Sequence, residues 1–333
     1  MHEDTICAVI LAAGKGTRMK SARAKVLHRV FGRPMVNHVV ERVRAAGIRN
    51  VVVVTGHQAE EVEAALDGDT VRFARQAEQL GTGHAVRCAE AAIPADCDRV
   101  LILCGDTPLV EPATLASLVA EHRDAAVTVL TTVLDDPTNY GRVITDDAGN
   151  VKAIVEEKDA DTAQRAIREV NTGIYCVERQ FLFDALARLR NDNSQGEYYL
   201  TDIVAIAVGD GRPVGRVVCA DPREVIGINS RIELARAEAI LQEAKHRQLM
   251  AAGVTIVAPD CTFIGSEVEI GADTVIHPHV HLRGRTVIGT DCTIEPFCLL
   301  EDCRVADGVR IGAGSHRYQA DISTDEAAGR KLI

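Results

Sequence analysis

Seven aliphatic residues, Ile264, Ile270, Ile276, Leu282, Ile288, Ile294 and Leu300, recur at every sixth position of this chain. A period of six suits neither an α-helix, whose faces repeat every 3.6 residues, nor an ordinary strand, whose faces alternate. It fits a triangular solenoid in which each flat face sends one aliphatic side chain inward, so that stacked coils bury a continuous column. Gly265, Gly271 and Gly289 directly follow three of these positions. The spacing predicts about eight hexads, fewer than three coils at three hexads per coil, near the smallest stable stack. After Gly314 the sequence turns polar and shows no repeat, so residues 315–333 read as a polar tail.

A different rhythm governs the first two thirds. Apolar runs at 6–11, 50–55, 71–75, 99–104, 126–133 and 214–219 read as strands, and 35–46, 58–66, 82–93, 112–122 and 179–190 read as helices. Alternation of this kind belongs to an α/β fold. Gly47 and Pro112 stand where a helix ends and another begins. Residues 141–156 read as a hairpin turning at Asp146-Asp147-Ala148-Gly149-Asn150, which makes the sheet mixed though mainly parallel. Ser230-Arg231-Ile232-Glu233 has the capping-box pattern, and no Gly or Pro follows until Gly253. The expected organisation is a Rossmann-like domain at 1–228, a linker helix at 229–252, a solenoid at 253–314 and the tail.

Within the α/β part the N-terminal strand carries the sharpest chemical signal. Ile6 to Leu11 is unbroken and apolar, and it runs into Ala12-Ala13-Gly14-Lys15-Gly16-Thr17-Arg18, with Lys25 a few residues on. Such a strand is buried on both faces and delivers its carboxyl end to a loop where glycines admit an anion and cations attract one. The spacing matches neither a Walker A loop nor a Gly-x-Gly-x-x-Gly fingerprint, which disfavours P-loop and NAD chemistry. Asp106 follows the apolar run Val100 to Leu103, at the strand edge where α/β sheets bind ligands; it is a hard oxygen donor for magnesium or else a turn cap before Pro108. In Gln76-Ala77-Glu78-Gln79-Leu80-Gly81-Thr82-Gly83-His84-Ala85, Gln76 offers both an acceptor and a donor to a base edge. His84 reads as a helix-face histidine.

Composition narrows the setting. With 333 residues, 47% of them hydrophobic, the chain has length for a large core, and no apolar run approaches the roughly 18 to 20 residues that span a bilayer. No secretory leader is recognisable, so a cytoplasmic location without membrane partners is expected. Ten scattered cysteines without a Cys-x-x-Cys pair read as buried free thiols. A formal net charge of −11 argues against nonspecific nucleic-acid binding and leaves the cations of residues 15–25 as a local feature.

These motifs occur in a telling order. After the Gly-rich loop come Gln76 to Ala85, Gly105-Asp106, Asp136-Pro137-Thr138-Asn139-Tyr140-Gly141-Arg142, Glu156-Glu157-Lys158-Asp159, Asn171-Thr172-Gly173 and Gln195-Gly196-Glu197-Tyr198-Tyr199-Leu200-Thr201-Asp202. In this the chain resembles the sugar nucleotidyltransferases, and within them the N-terminal half of the bacterial bifunctional N-acetylglucosamine-1-phosphate uridyltransferases/glucosamine-1-phosphate acetyltransferases. The resemblance covers residues 6 to about 310 and implies a left-handed parallel β-helix for the solenoid. By it, Leu11, Ala12, Ala13, Gly14, Gln76, Gly81 and Thr82 would hold the uridine part, and Arg18 and Lys25 the phosphates of UTP as electrostatic catalysts. Gly141, Glu156, Asn171 and Thr172 would hold the N-acetylglucosamine part, Cys104 and Gly105 would complete the site, and Asp106 with Asn229 would hold Mg2+. On the residues alone Asn229 is equally a helix-entry residue beside Ser230. Tyr198, Tyr199 and Asp202 read as structural.

The activity so implied makes UDP-N-acetylglucosamine and pyrophosphate from UTP and N-acetylglucosamine-1-phosphate, a step that feeds peptidoglycan and lipopolysaccharide precursors. In-line attack by an ionised phosphate needs charge neutralisation and alignment, and no general base. Two departures stand out. Cys104 occupies a position where the family commonly has an aromatic residue, and the family's acetyltransferase site lies in later coils, so acetyl transfer is expected to be absent from this polypeptide. A homotrimer through the β-helix is implied as well. The competing readings are a nucleotidyltransferase for another sugar-1-phosphate or dTTP, and a noncatalytic scaffold paralogue.

Overall fold

A computed structural model describes residues 5–68 and 70–324. It divides into two compact units, one formed by residues up to His28 together with Pro34–Ser230, the other by Arg29–Arg33 together with the chain from Arg231 onward.

The first unit is built on a nine-stranded sheet. Its strands are β1 (Thr5–Leu11), β2 (Asn50–Thr55), β3 (Arg72–Arg75), β4 (Cys97–Cys104), β5 (Val127–Val133), β6 (Arg142–Thr145), β7 (Val151–Val155), β8 (Glu169–Glu178) and β9 (Val214–Val218). Their order is β9-β5-β8-β4-β1-β2-β3, with β6 and β7 as a hairpin attached to β8. β1, β2, β3 and β4 run parallel, and β8 runs antiparallel between β4 and β5. Helices α1 (Met35–Ala45), α2 (Ala59–Ala65), α3 (Thr82–Cys88), α4 (Pro112–Glu121), α5 (Thr162–Arg165), α6 (Arg179–Leu186) and α7 (Asp202–Gly209) complete the unit. The mixed, mainly parallel α/β sheet expected from the alternation is present.

β1 is central because it has no polar side to show to water. Cys7 and Val9 pack into one core and Ala8 and Ile10 into the other, all four fully buried. With β2 on one side of it and β4 on the other, the chain reverses its winding direction at β1, and the crevice outside the carboxyl ends of these strands is where such a sheet takes ligands.

Several boundaries differ from expectation. The helix expected at 82–93 ends at Cys88 and continues as a 3-10 turn at Glu90–Ala92, and that expected at 179–190 ends at Leu186. β8 lies outside the strands expected from sequence, because Asn171-Thr172-Gly173 in its middle has the composition of a turn. The strand passes through it with a break in register between Asn171 and Ile174, where Gly173 takes φ +78°.

Beside that break sits the largest fully buried side chain, Arg142. Its guanidinium is 2.5 Å from the Glu157 carboxylate and also donates to the carbonyls of Tyr140 and Arg165. Arg142→Met strands those acceptors, so the variant is expected to unfold with about 2–4 kcal/mol less stability in a urea titration.

In the second unit the long helix α8 (Arg231–Ala251) clusters with the repeats. Among the described residues, twelve short strands form three parallel sheets of four, one per face, which gives the stack four levels where fewer than three are expected. Ile264, Ile276, Leu282, Ile288, Ile294 and Leu300 form the inner column, each at most 2% exposed. The stack also continues past Gly314, through His316–Tyr318 and Asp321–Ile322, which corrects the polar tail as far as residue 324. The remainder of that segment lies outside the described residues.

The later levels depart from the sixfold spacing for a simple reason. Ile270 stacks on Ile288, but Ile288 stacks on Val305, so a coil of 18 residues gives way to one of 17. This phase slip hides the later rungs, and at the last level Arg317 takes the register position below Leu300. Ten cysteines are free thiols, and Cys292, Cys298 and Cys303 fill inner positions as small hydrophobes.

Candidate functional site

The site is assembled where β1 runs out. Ala12 N–H donates to Val54 O at 2.9 Å and Gly105 N–H to Leu11 O at 2.9 Å, which ties the ends of β1, β2 and β4 together. From there the chain turns through Gly14–Gly16. A Cβ at Gly14 would meet nothing within 4 Å, which leaves open space for a guest. At Gly16, φ is +63° and a Cβ would lie 2.4 Å from Lys25 Cβ, so the loop closes over the Lys25 stem only because this residue is glycine. Buried Met19 anchors the following 3-10 turn.

Four polar side chains then converge. The Lys25 ammonium pairs with the Asp106 carboxylate and donates to Asn229 Oδ1 at 3.0 Å. Arg18 Nη2 donates to the same Asn229 oxygen at 2.8 Å. Asn229 Nδ2 is engaged by Gly227 O at 2.9 Å, which orients the amide so that its carbonyl faces the cations. Gly227 also lets the chain run close to Asp106: a Cβ there would sit 3.4 Å from both carboxylate oxygens. Two hard oxygen donors thus share one cation, an arrangement that suits a divalent metal completed by phosphate and water oxygens. Among the described residues no three His, Cys, Asp or Glu side chains cluster as a protein-only metal cage.

Around this cluster lies a cavity of about 460 Å³. Leu11, Ala12, Ala13, Gly14, Arg18, Lys25, Gln76, Gly81, Thr82, Cys104, Asp106 and Asn229 all line it. Gln76 is only 3% exposed, and its Nε2 is spent on Gly81 O (3.0 Å) and His84 Nδ1 (3.1 Å). Its donor is therefore internal, and only Oε1 remains to serve a ligand. Thr82 starts α3 with its hydroxyl accepting Leu200 N–H at 3.0 Å. Residues 197–200 brace this wall: Gly83 N–H donates to Tyr198 O and Tyr198 N–H to Leu80 O, both at 2.8 Å. A Cβ at Gly81 would collide with Tyr198 backbone at 2.7 Å.

Gly105, Gly141, Glu156, Asn171 and Thr172 do not line this cavity. Gly141 and Asn171 meet through Asn171 N–H to Gly141 O at 2.8 Å, and a Cβ on Gly141 would be 3.4 Å from Glu156 Oε1. Thr172 commits its hydroxyl to Leu130 O at 2.7 Å. Gly173 places this group beside the cavity wall, since a Cβ there would touch Cys104 Sγ at 3.5 Å. Burial pushes the Cys104 thiol up to about 12, Asp106 adding to the shift, so it stays protonated and is no nucleophile.

Glu156 is held above the usual carboxylate range by burial first, then by Asp202, Asp159 and Glu197, with the Thr201 hydroxyl pulling the other way. A raised carboxyl pKa means that folding favours the protonated form; the cost is fully present above the folded pKa and vanishes below the unfolded one. Glu156→Gln is therefore expected to melt at a higher temperature than the parent at pH 7.5, with the gap closing below about pH 4.5. A thermal melt series against pH checks this.

Sequence reasoning gave no role to Gln79, Glu197 or Gly227. The first two line the cavity and the third abuts Asp106. Glu197 was within reach as part of the Gln195–Asp202 motif; Gly227 carries no local signal.

A family profile for MobA-like NTP transferase domains matches residues 8–255, and one for bacterial transferase hexapeptides, six repeats long, matches residues 267–302. Among curated proteins, a bifunctional protein GlmU from Desulfotalea psychrophila is 48% identical over 97% of this chain and 96% of its own length. The GlmU proteins of Trichlorobacter lovleyi and Geotalea uraniireducens are 49% and 50% identical over 97% and 98% of this chain, covering 71% and 72% of their own lengths.

The chain belongs to the GlmU family.

Its transferase domain spans the sheet whose carboxyl edge bears this cavity, and its hexapeptide repeats form the parallel β-helix. Among the described residues, no helix is long and apolar enough to cross a membrane.

Proposed function

We propose that this GlmU-family chain transfers the uridylyl group of UTP to N-acetylglucosamine-1-phosphate, giving UDP-N-acetylglucosamine and pyrophosphate for cell-envelope precursors. The observation that carries the reading is the convergence of Lys25, Arg18, Asp106 and Asn229 at the mouth of one nucleotide-sized cavity.

In this reading the backbone of Leu11–Gly14 and Gly81 lies along the nucleoside, and Gln76 Oε1 accepts the imide N–H of uracil. Arg18 and Lys25 hold the triphosphate, setting the α-phosphorus in line with the incoming sugar phosphate and offsetting the repulsion between two polyanions. The sugar-phosphate oxygen bonds to that phosphorus as the bond to the departing pyrophosphate breaks, and no proton has to be removed. Gly141, Glu156 and Asn171 hold the sugar, next to Cys104. Asp106 and Asn229 would hold Mg2+, which when bound supplies Lewis-acid neutralisation of the phosphate oxygens. Trimer formation through the β-helix belongs to the same proposal, as does the lack of acetyl transfer by the residues described; light scattering and an acetyl-CoA assay test these two points.

Pyrophosphate release from UTP plus N-acetylglucosamine-1-phosphate, run beside glucose-1-phosphate, dTTP and a metal-free control, tests the central claim. Turnover is expected for the first pair with metal. Turnover only with another pair would move the substrate assignment, and none at all from folded protein would favour a scaffold.

A further inference from the structure

We infer that this protein carries a second anion site, for a polyphosphate group, at the amino edge of the central sheet. There a cavity of about 540 Å³ is lined by Arg44 from the last turn of α1, Arg49 before β2 and Arg72 at the start of β3. No carboxylate is among its described lining residues. The chain as a whole carries a formal net charge of −11, and several of its arginines are held by carboxylates. In the same unit Arg75, Arg168, Arg188, Arg212 and Arg216 each have a carboxylate partner. Arg49 and Arg72 have no ion-pair partner among the described residues; Arg72 gives one N–H to Ala92 O at 3.1 Å, which fixes its fork and leaves its other donors available.

The like charges of Arg49 and Arg72 at one hollow repel unless an anion joins them, and guanidinium forks match phosphate oxygens in pairs. The last carbonyls of α1 raise little objection, because Arg42, Val43 and Arg44 already accept from Ala46, Ile48 and Gly47. The hollow far exceeds one phosphate group, and Ile48, Val71 and Pro94 give it an apolar wall. A chain of two or more phosphates is the ligand this chemistry selects, as inorganic pyrophosphate or as the tail of a nucleoside triphosphate. No residue is shared with the catalytic cavity, which opens at the other end of β1.

Calorimetric titration of pyrophosphate, and separately of UTP, into the chain without divalent metal at low salt tests the site. Arg49→Ser/Arg72→Ser is expected to weaken one class of pyrophosphate binding at least tenfold, at roughly 1.5 kcal/mol or more for each charged hydrogen bond lost. Its melting temperature and its uridyl-transfer kcat/KM should stay close to those of the parent. Lys25→Met should leave the same class intact. UTP binding there tighter than pyrophosphate identifies the nucleotide as ligand; equal binding identifies the inorganic anion. The proposal is overturned if the double variant titrates like the parent, or if all metal-free pyrophosphate binding disappears in Lys25→Met.

Discussion

Asp106→Ala is expected to lower kcat/KM for nucleotidyl transfer by about 10³-fold or more and to flatten its dependence on divalent metal. Asp106 is 7% exposed, paired with Lys25 in the turn after β4, and bordered by Gly227, which brings no side chain against it. Asn229 alone is a neutral donor and holds a hard cation weakly, so charge neutralisation worth several kcal/mol is lost where the pyrophosphate leaves. Steady-state rates across a magnesium titration measure it. Retained turnover with unchanged metal dependence would remove Asp106 from the site. Asp106→Glu is the useful companion, because it keeps the charge but lengthens the arm against Gly227, and partial activity at raised metal concentration is the expected result.

For Lys25→Met the expectation is a loss of about 10²–10³-fold in kcat/KM, in the range found when one preorganised donor to a developing anion is removed. The methionine keeps the stem that packs against Gly16, so the loop is retained. Asp106 loses its ammonium partner, and a fall of about 1–3 kcal/mol in unfolding free energy should accompany the loss of activity. The two effects separate by experiment: thermal melts report the second, and rates at a temperature well below the melt report the first. Because Lys25 and Asp106 contact each other, the double variant should cost less than the two single losses combined. Fully additive effects would mean that the pair does not act as a unit.

The architecture was legible because its signals are local and repeated. An apolar run buried on both faces has one reading in a chain that alternates strands and helices, and a sixfold aliphatic period has one in a repeat. What failed were the places where a local signal contradicts its surroundings. Asn171-Thr172-Gly173 has turn composition yet lies within β8, because β5 pairs with the strand both before and after it and a bulge absorbs the misfit. The repeat vanished to the eye once a coil shortened by one residue, although the stack tolerates that slip.

At the site, sequence order by itself marked the groups now proposed to carry the chemistry, since glycine, lysine, arginine and aspartate beside strand ends are residue types suited to holding phosphates and a cation. It also determined the solenoid, because a period of six admits no other regular burial of the aliphatic column. Only the tertiary structure decided which groups meet. Arg18 and Asn229 are more than 200 residues apart yet share a hydrogen bond at 2.8 Å. It decided too that Gln76 has one usable atom left, and that three arginines from separate elements face a common hollow. Such facts depend on how the strands stack side by side, and that is set by packing of the whole sheet, which no short stretch of sequence records.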